Sequence, residues 1–190
     1  MFVEIGKNMT LTTYKWSIKE WHDLVDSGVL AGKRVELLEG EIIAMSPEGI
    51  PHRNTNHKVV KYLRKLLERI AEVYESHPIT LDNSEPEPDI AIVRLPESIY
   101  DTHHPYREDI YWLIEISNVT LIKDLEQKTI TYARNGIPEY WVIDLKNNQL
   151  VVHTQPQDNS YAQIVKYKVG IISPLAFPQI VISINHLLLY

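Results

Sequence analysis

The chain has 190 residues, 44% of them hydrophobic, a net charge of −6 at neutral pH and no cysteine. That is enough apolar material for one compact core, so a single domain over residues 1–190 is expected, and disulfides, zinc–thiolate sites and thiol nucleophiles are excluded. No apolar run approaches the roughly 18–20 residues of a membrane span, and residues 1–14 lack the charged-then-apolar order of a signal peptide, so the expectation is a cytoplasmic protein with no membrane partner.

Taken in order, Ser17 to Ser27 predicts a short helix with Ser17 as N-cap and Gly28 as its stop. Arg34 to Leu38 and Glu41 to Met45 flank Glu39-Gly40 and predict a hairpin. Pro47, Gly49 and Pro51 then lead into a long amphipathic helix, expected over about Arg53 to Tyr74.

The helix region concentrates positive charge. Arg53, Lys58, Lys61, Arg64, Lys65 and Arg69 stand against Glu68 alone between Pro51 and Ile70. Lys58, Lys61 and Lys65 follow the spacing of one helix face, a stripe that could meet a phosphate backbone or simply be solvated. The net acidity of the whole chain argues against bulk attraction to nucleic acid.

Two apolar strands follow, each carrying an acid. Glu87-Pro88-Asp89 enters Ile90 to Val93, and Ile110 to Ser117 is apolar enough to be a central strand covered on both faces, yet holds Glu115. An unpaired carboxylate there costs several kcal/mol or takes up a proton, so it calls for a cation, a donor network or a function. Two carboxylates on neighbouring strands can share one hard metal ion.

Leu121 to Asn135 predicts a helix stopped by Gly136 and Pro138. At about 100° per residue, Leu125, Tyr132 and Ala133 share a core-facing arc with Leu121 and Ile122, Lys128 falls at its edge, and Lys123 and Arg134 fall opposite. Lys128 is therefore the basic residue of this helix best placed to reach the strand acids. The bland alternative is that it snorkels or pairs with Asp124. Tyr140 to Asp144 predicts another strand. Beyond Leu145 the pattern turns antiparallel, with an Asn147-Asn148 turn and strands at Leu150 to His153, Tyr161 to Tyr167 and Ile180 to Ile184. The order implies an α/β fold, a mixed central β-sheet flanked by helices. Trp112, Tyr140 and Trp141 are expected core residues. His103-His104 imitates a metal cluster in a loop, although adjacent histidines rarely converge on one ion.

From about Arg34 to Leu145 the sequence resembles the Uma-two family of restriction endonucleases, within the PD-(D/E)XK nuclease superfamily. The matching segments are Val35 to Ile42, Met45-Ser46-Pro47, Glu85 to Val93, Leu113 to Ser117, and Asp124 with Lys128, Tyr132-Ala133 and Gly136 to Asp144. The resemblance implies a restriction-endonuclease-like core and metal-dependent cleavage of DNA, with Mg²⁺ or Mn²⁺ as cofactor. It implies that Asp89 and Glu115 hold the metal, with the Ile116 carbonyl and Glu36 completing the site. The superfamily's usual lysine position is Ser117 here, and the family's relocated lysine corresponds to Lys128, implied to assist the attacking water. His52 matches a position where the family often has histidine, and Tyr132 is expected to pack with its hydroxyl touching the site.

A homodimer is expected because cutting both strands of a duplex takes two sites. Two other readings stay open: a catalytically silent nuclease fold that binds nucleic acid or a protein partner, and a hydrolase of small phosphoesters. The chain has no P-loop, G-x-G-x-x-G turn or nucleophile elbow.

Overall fold

In a computed structural model, residues 12–118 and 122–188 are described. Their centre is a six-stranded sheet in the order β3-β4-β5-β6-β7-β8: Glu72–Glu75, Ile90–Val93, Ile110–Ser117, Glu139–Asp144, Gln149–Gln157 and Ser160–Tyr167. Every neighbouring pair is antiparallel except β5 and β6, which run parallel and are joined through helix α3 (Ile122–Arg134). The expected mixed α/β architecture is therefore present, and β5 lies inside the sheet.

Strand alternation sorts the side chains into two cores. Ile90, Ile92, Trp112, Ile114, Ile116, Trp141 and Ile143 pack with Val59, Val60 and Leu63 of helix α2 (Ile50–Leu66) and with helix α4 (Ile184–Leu188). Ala91, Val93, Leu113, Tyr140 and Val142 pack on the other face with Tyr132 and Ala133 of α3. Trp112, Tyr140 and Trp141 are fully buried, as expected of core residues.

Several secondary-structure expectations need correction. The long helix runs Ile50–Leu66, three residues earlier at its start and eight earlier at its end than expected. Pro51 sits in the first turn, where a missing N–H costs nothing, so it begins the helix instead of preceding it. At the other end Arg69 takes φ 63°, the chain reverses, and Val73 and Tyr74 become part of edge strand β3, paired with Ile92 and Ala91. Finally, only Ile182–Ser183 of the last predicted strand is extended. It pairs with Ile171–Ile172, and Ile184 already opens α4.

Strand β7 also runs on to Gln157, past its expected end at His153, and the boundaries near the amino terminus fall where expected. Ser17 caps α1 (Ile18–Asp26) in a full capping box with Glu20, and Gly28 follows at φ 75°. Val35–Leu38 (β1) and Glu41–Ala44 (β2) form a separate hairpin about Glu39 and Gly40, both at positive φ. Backbone bonds tether this hairpin to the segment before β4: Glu85 donates its N–H to Leu37 (2.8 Å) and Gly40 donates to Asn83 (2.9 Å). The Glu85 carboxylate is itself buried, accepting from Trp21 Nε1 (2.9 Å) and Thr80 Oγ1 (2.8 Å) and meeting His22 Nε2 at 2.6 Å, which ties α1 to the same segment.

Candidate active site at the β4–β5 edge

The sheet itself brings the two acids together. Ile90 pairs with Ile114, and continuing that antiparallel register by one step sets Asp89 opposite Glu115. Ala91, Val93 and Leu113 show that this parity faces α3, so both acids occupy positions that apolar side chains fill elsewhere on that face. Asp89 Oδ2 accepts the backbone N–H of Ile116 (2.6 Å), locking it against β5.

Helix α3 supplies the cation. Lys128 is buried and donates to Glu115 Oε1 (3.0 Å) and to the Glu87 carbonyl (3.3 Å), with Glu36 Oε2 also 3.3 Å away. It does not snorkel, and the alternative partner Asp124 has a side chain that lies outside the described residues. One turn further on, fully buried Tyr132 donates its hydroxyl to the same Glu115 oxygen (2.9 Å).

Glu36 also faces inward. Plain alternation on a two-stranded hairpin could have exposed it, but one face of β1 covers the site and Glu36 is buried, accepting the Glu87 N–H (3.0 Å). Side chains hold the hairpin there: Glu39 accepts from Thr131 Oγ1 (3.0 Å) and from Arg134 (2.8 Å), both on α3. His52, on the first turns of α2, meets Asp89 Oδ2 at 3.0 Å through Nε2.

Glu36, His52, Asp89, Glu115 and Lys128 line one cavity of about 340 Å³, together with Arg34, Glu48, Glu87 and the Ile116 segment. Burial pushes the Glu115 carboxyl up to about 7, with Asp89 and Glu36 adding to the shift and Lys128 opposing it. Burial works against the charge of Lys128, but Glu115 and Glu36 outweigh it and hold the amine above its ordinary range. For His52, burial is likewise outweighed by the bond to Asp89, so its pKa is raised. Glu87 is raised by burial and by Glu36.

Among the described residues, no three His, Asp or Glu side chains already stand close enough to hold an ion. Lys128 accounts for this, since its ammonium sits between Glu36 and Glu115 while Asp89 turns to Ile116 and His52. The donor set nonetheless suits a hard divalent cation. It is oxygen-rich, and two carboxylates plus water satisfy such an ion, with Glu36, Asp89 and Glu115 all lining the one cavity.

Other sequence candidates lie elsewhere. Lys58, Lys61 and Lys65 are exposed on the outward face of α2, on the opposite side from His52, and do not line the cavity. His103 stacks on Tyr106 instead of joining a ligand cluster. Sequence reasoning overlooked Glu87, Glu48 and Arg34. The alternating Glu-Pro pattern from Glu85 to Asp89 was a signal for the first, whereas the other two depend on how the hairpin folds over.

A family model described as "Putative restriction endonuclease", Uma2, matches residues 20–185. The chain belongs to the Uma2 family. The match extends well beyond the segment whose motifs carried the resemblance, taking in α1 and the antiparallel carboxy-terminal strands. A solved structure from Anabaena variabilis, described as a putative nuclease belonging to DUF820, has the same fold. It superposes with a TM-score of 0.66 at 19% identity, over 81% of this chain and 89% of that one. The restriction-endonuclease-like core expected of the family is thus the fold observed. Comparison with curated proteins gives no match.

Proposed function

We propose that this chain is a metal-dependent endonuclease that hydrolyses phosphodiester bonds in DNA. The observation that carries the reading is a buried lysine bonded to Glu115, beside Asp89 and Glu36, in an acidic cavity. Membership of the Uma2 family supports nuclease chemistry as its class.

In this reading Asp89 and Glu115, with Glu36 and the Ile116 carbonyl, would hold Mg²⁺ or Mn²⁺. The ion would neutralise charge growing on the phosphoryl oxygens and make bound water more acidic. Lys128, kept protonated by its carboxylate neighbours, serves as a fixed ammonium that orients the attacking water and stabilises the transition state by charge. Tyr132 fixes the rotamer of Glu115, and His52 fixes that of Asp89. The Lys58, Lys61 and Lys65 stripe, remote from the cavity, attracts polynucleotide at longer range. A homodimer belongs to this reading wherever both strands of a duplex are cut.

The test is cleavage of labelled DNA by wild type, Asp89→Asn, Glu115→Gln and Lys128→Met with and without Mn²⁺, alongside circular dichroism. Cation-dependent cutting by wild type alone, with all four chains folded, is expected. A folded wild type that cuts no DNA and whose melting temperature ignores Mn²⁺ rejects the reading. Turnover of a mononucleotide phosphodiester without any cutting of DNA reassigns the site to small phosphoesters.

A further inference from the structure

The shape of the cavity narrows the range of substrates, a narrowing that rests on the nuclease function proposed above. Three observations bear on it. Glu36, Glu115 and Lys128 are 6, 6 and 7% exposed, so a phosphate must descend to the cavity floor to meet them. The cavity, about 340 Å³, is at the small end of the roughly 300–1,000 Å³ typical of small-molecule pockets. Inside the cavity that is room for one nucleotide unit, so stacked base pairs would have to stay outside its mouth.

The walls are the second observation. The β1–β2 hairpin brings Ile43 and Met45 to one side, and α3 brings Leu125. Carboxylates on the floor and aliphatic side chains on the walls form an amphipathic pocket. A lone nucleotide matches it, with its phosphate below and its base face against the aliphatic wall. A base locked in a duplex stack cannot turn that face outward without unpairing.

Charge is the third. Among the described residues lining the cavity, the basic ones are Arg34, the buried Lys128 and His52, which is already engaged with Asp89, against Glu36, Glu48, Glu87, Asp89 and Glu115. The α2 lysines point away, so they do not form a second basic bank to cradle a duplex across the opening. Double-stranded DNA, with its high linear charge density, is the form such an opening repels most.

We propose that the site acts on an unpaired DNA strand, one nucleotide of which enters the cavity, and that paired DNA is cut only at gaps, flaps or frayed ends. Water adds to phosphorus and one P–O ester bond breaks, leaving a phosphate on one fragment and a hydroxyl on the other. An unpaired strand needs a single site, so no second protomer is required.

The experiment compares one labelled sequence as a single DNA strand, as a clamped blunt duplex, as a duplex with an unpaired flap, and as an RNA strand. The full chain cuts them in Mn²⁺, and Asp89→Asn binds them in a fluorescence anisotropy titration. Expected are cutting and binding of the DNA strand about tenfold or more stronger than of the clamped duplex, with cuts confined to the flap in the flapped duplex. Ile43→Glu, a change on a partly exposed wall, is expected to weaken strand binding while leaving the fold intact. Duplex cut or bound as well as the strand, or RNA preferred to DNA, overturns the proposal. Strand-selective binding with no cleavage of any form supports the pocket and rejects the nuclease reading, so the two failures are told apart.

Discussion

Lys128 Nζ lies 3.0 Å from Glu115 Oε1, and each residue keeps less than a tenth of its surface exposed. The bond joins α3 to the central strand and leaves the charge of Glu36 and Asp89 only partly offset. Removing the amine strands buried carboxylates, and breaking such a pair typically costs about 3–5 kcal/mol. Lys128→Met is therefore expected to lower stability in urea titrations at neutral pH, and to lose less at acidic pH, where Glu115 takes up a proton.

The raised pKa of Glu115 gives the metal-free protein a pH dependence of definite sign. The folded chain holds a proton up to about 7 that the unfolded chain releases near its ordinary value of 4.5. The contribution is fully present below the unfolded value and is lost as pH rises through about 7. Melting temperature is expected to fall across this window in wild type and to flatten in Glu115→Gln, whose amide oxygen still accepts from Lys128 and Tyr132. Adding Mg²⁺ or Mn²⁺ is expected to raise the wild-type midpoint most at the alkaline end.

Catalysis is expected to separate from folding at Asp89. Its carboxylate accepts from Ile116 and meets His52, both of which an Asn oxygen can still serve in part. Asp89→Asn should unfold near the wild-type midpoint yet lose cation-dependent cleavage by about two orders of magnitude or more, measured on labelled DNA.

Reversing the outer stripe tests a different link. Lys58→Glu, Lys61→Glu and Lys65→Glu together are expected to weaken DNA binding and reduce its salt dependence, with kcat unchanged because these residues lie outside the cavity. A fall in kcat would place them in contact with the reacting strand.

The Glu85 network predicts a structural cost away from the chemistry. Glu85→Ala leaves the buried donors of Trp21 and Thr80 unpaired, at about 1–3 kcal/mol for each. Chemical denaturation should register that loss, with Glu85→Gln milder because its carbonyl retains one donor.

Much of the arrangement was legible where chemistry and periodicity coincided. Glu115 stood out because a carboxylate broke an apolar run, and Lys128 because the helical repeat set it on the edge of a buried arc. Both signals are local. The inward turn of Glu36 was not, since a four-residue strand alternates identically whichever face is covered, and only the Glu85 tether and the α3 contacts decide it. The end of α2 was misjudged because Val73 and Tyr74 continue an apolar pattern that suits helix and edge strand equally. The lysine stripe was visible as spacing, but spacing does not say which way a helix face looks.

The small hairpin stands apart from the six-stranded sheet, held by a few backbone bonds to the segment before β4 and by Glu39 reaching α3. Asp89, Glu115 and Lys128 depend on the sheet and its crossover helix, whereas one wall and the roof above them depend on this separate flap of chain. Such a division lets the covering piece be lengthened, reshaped or exchanged while the acids and the lysine beneath keep their places.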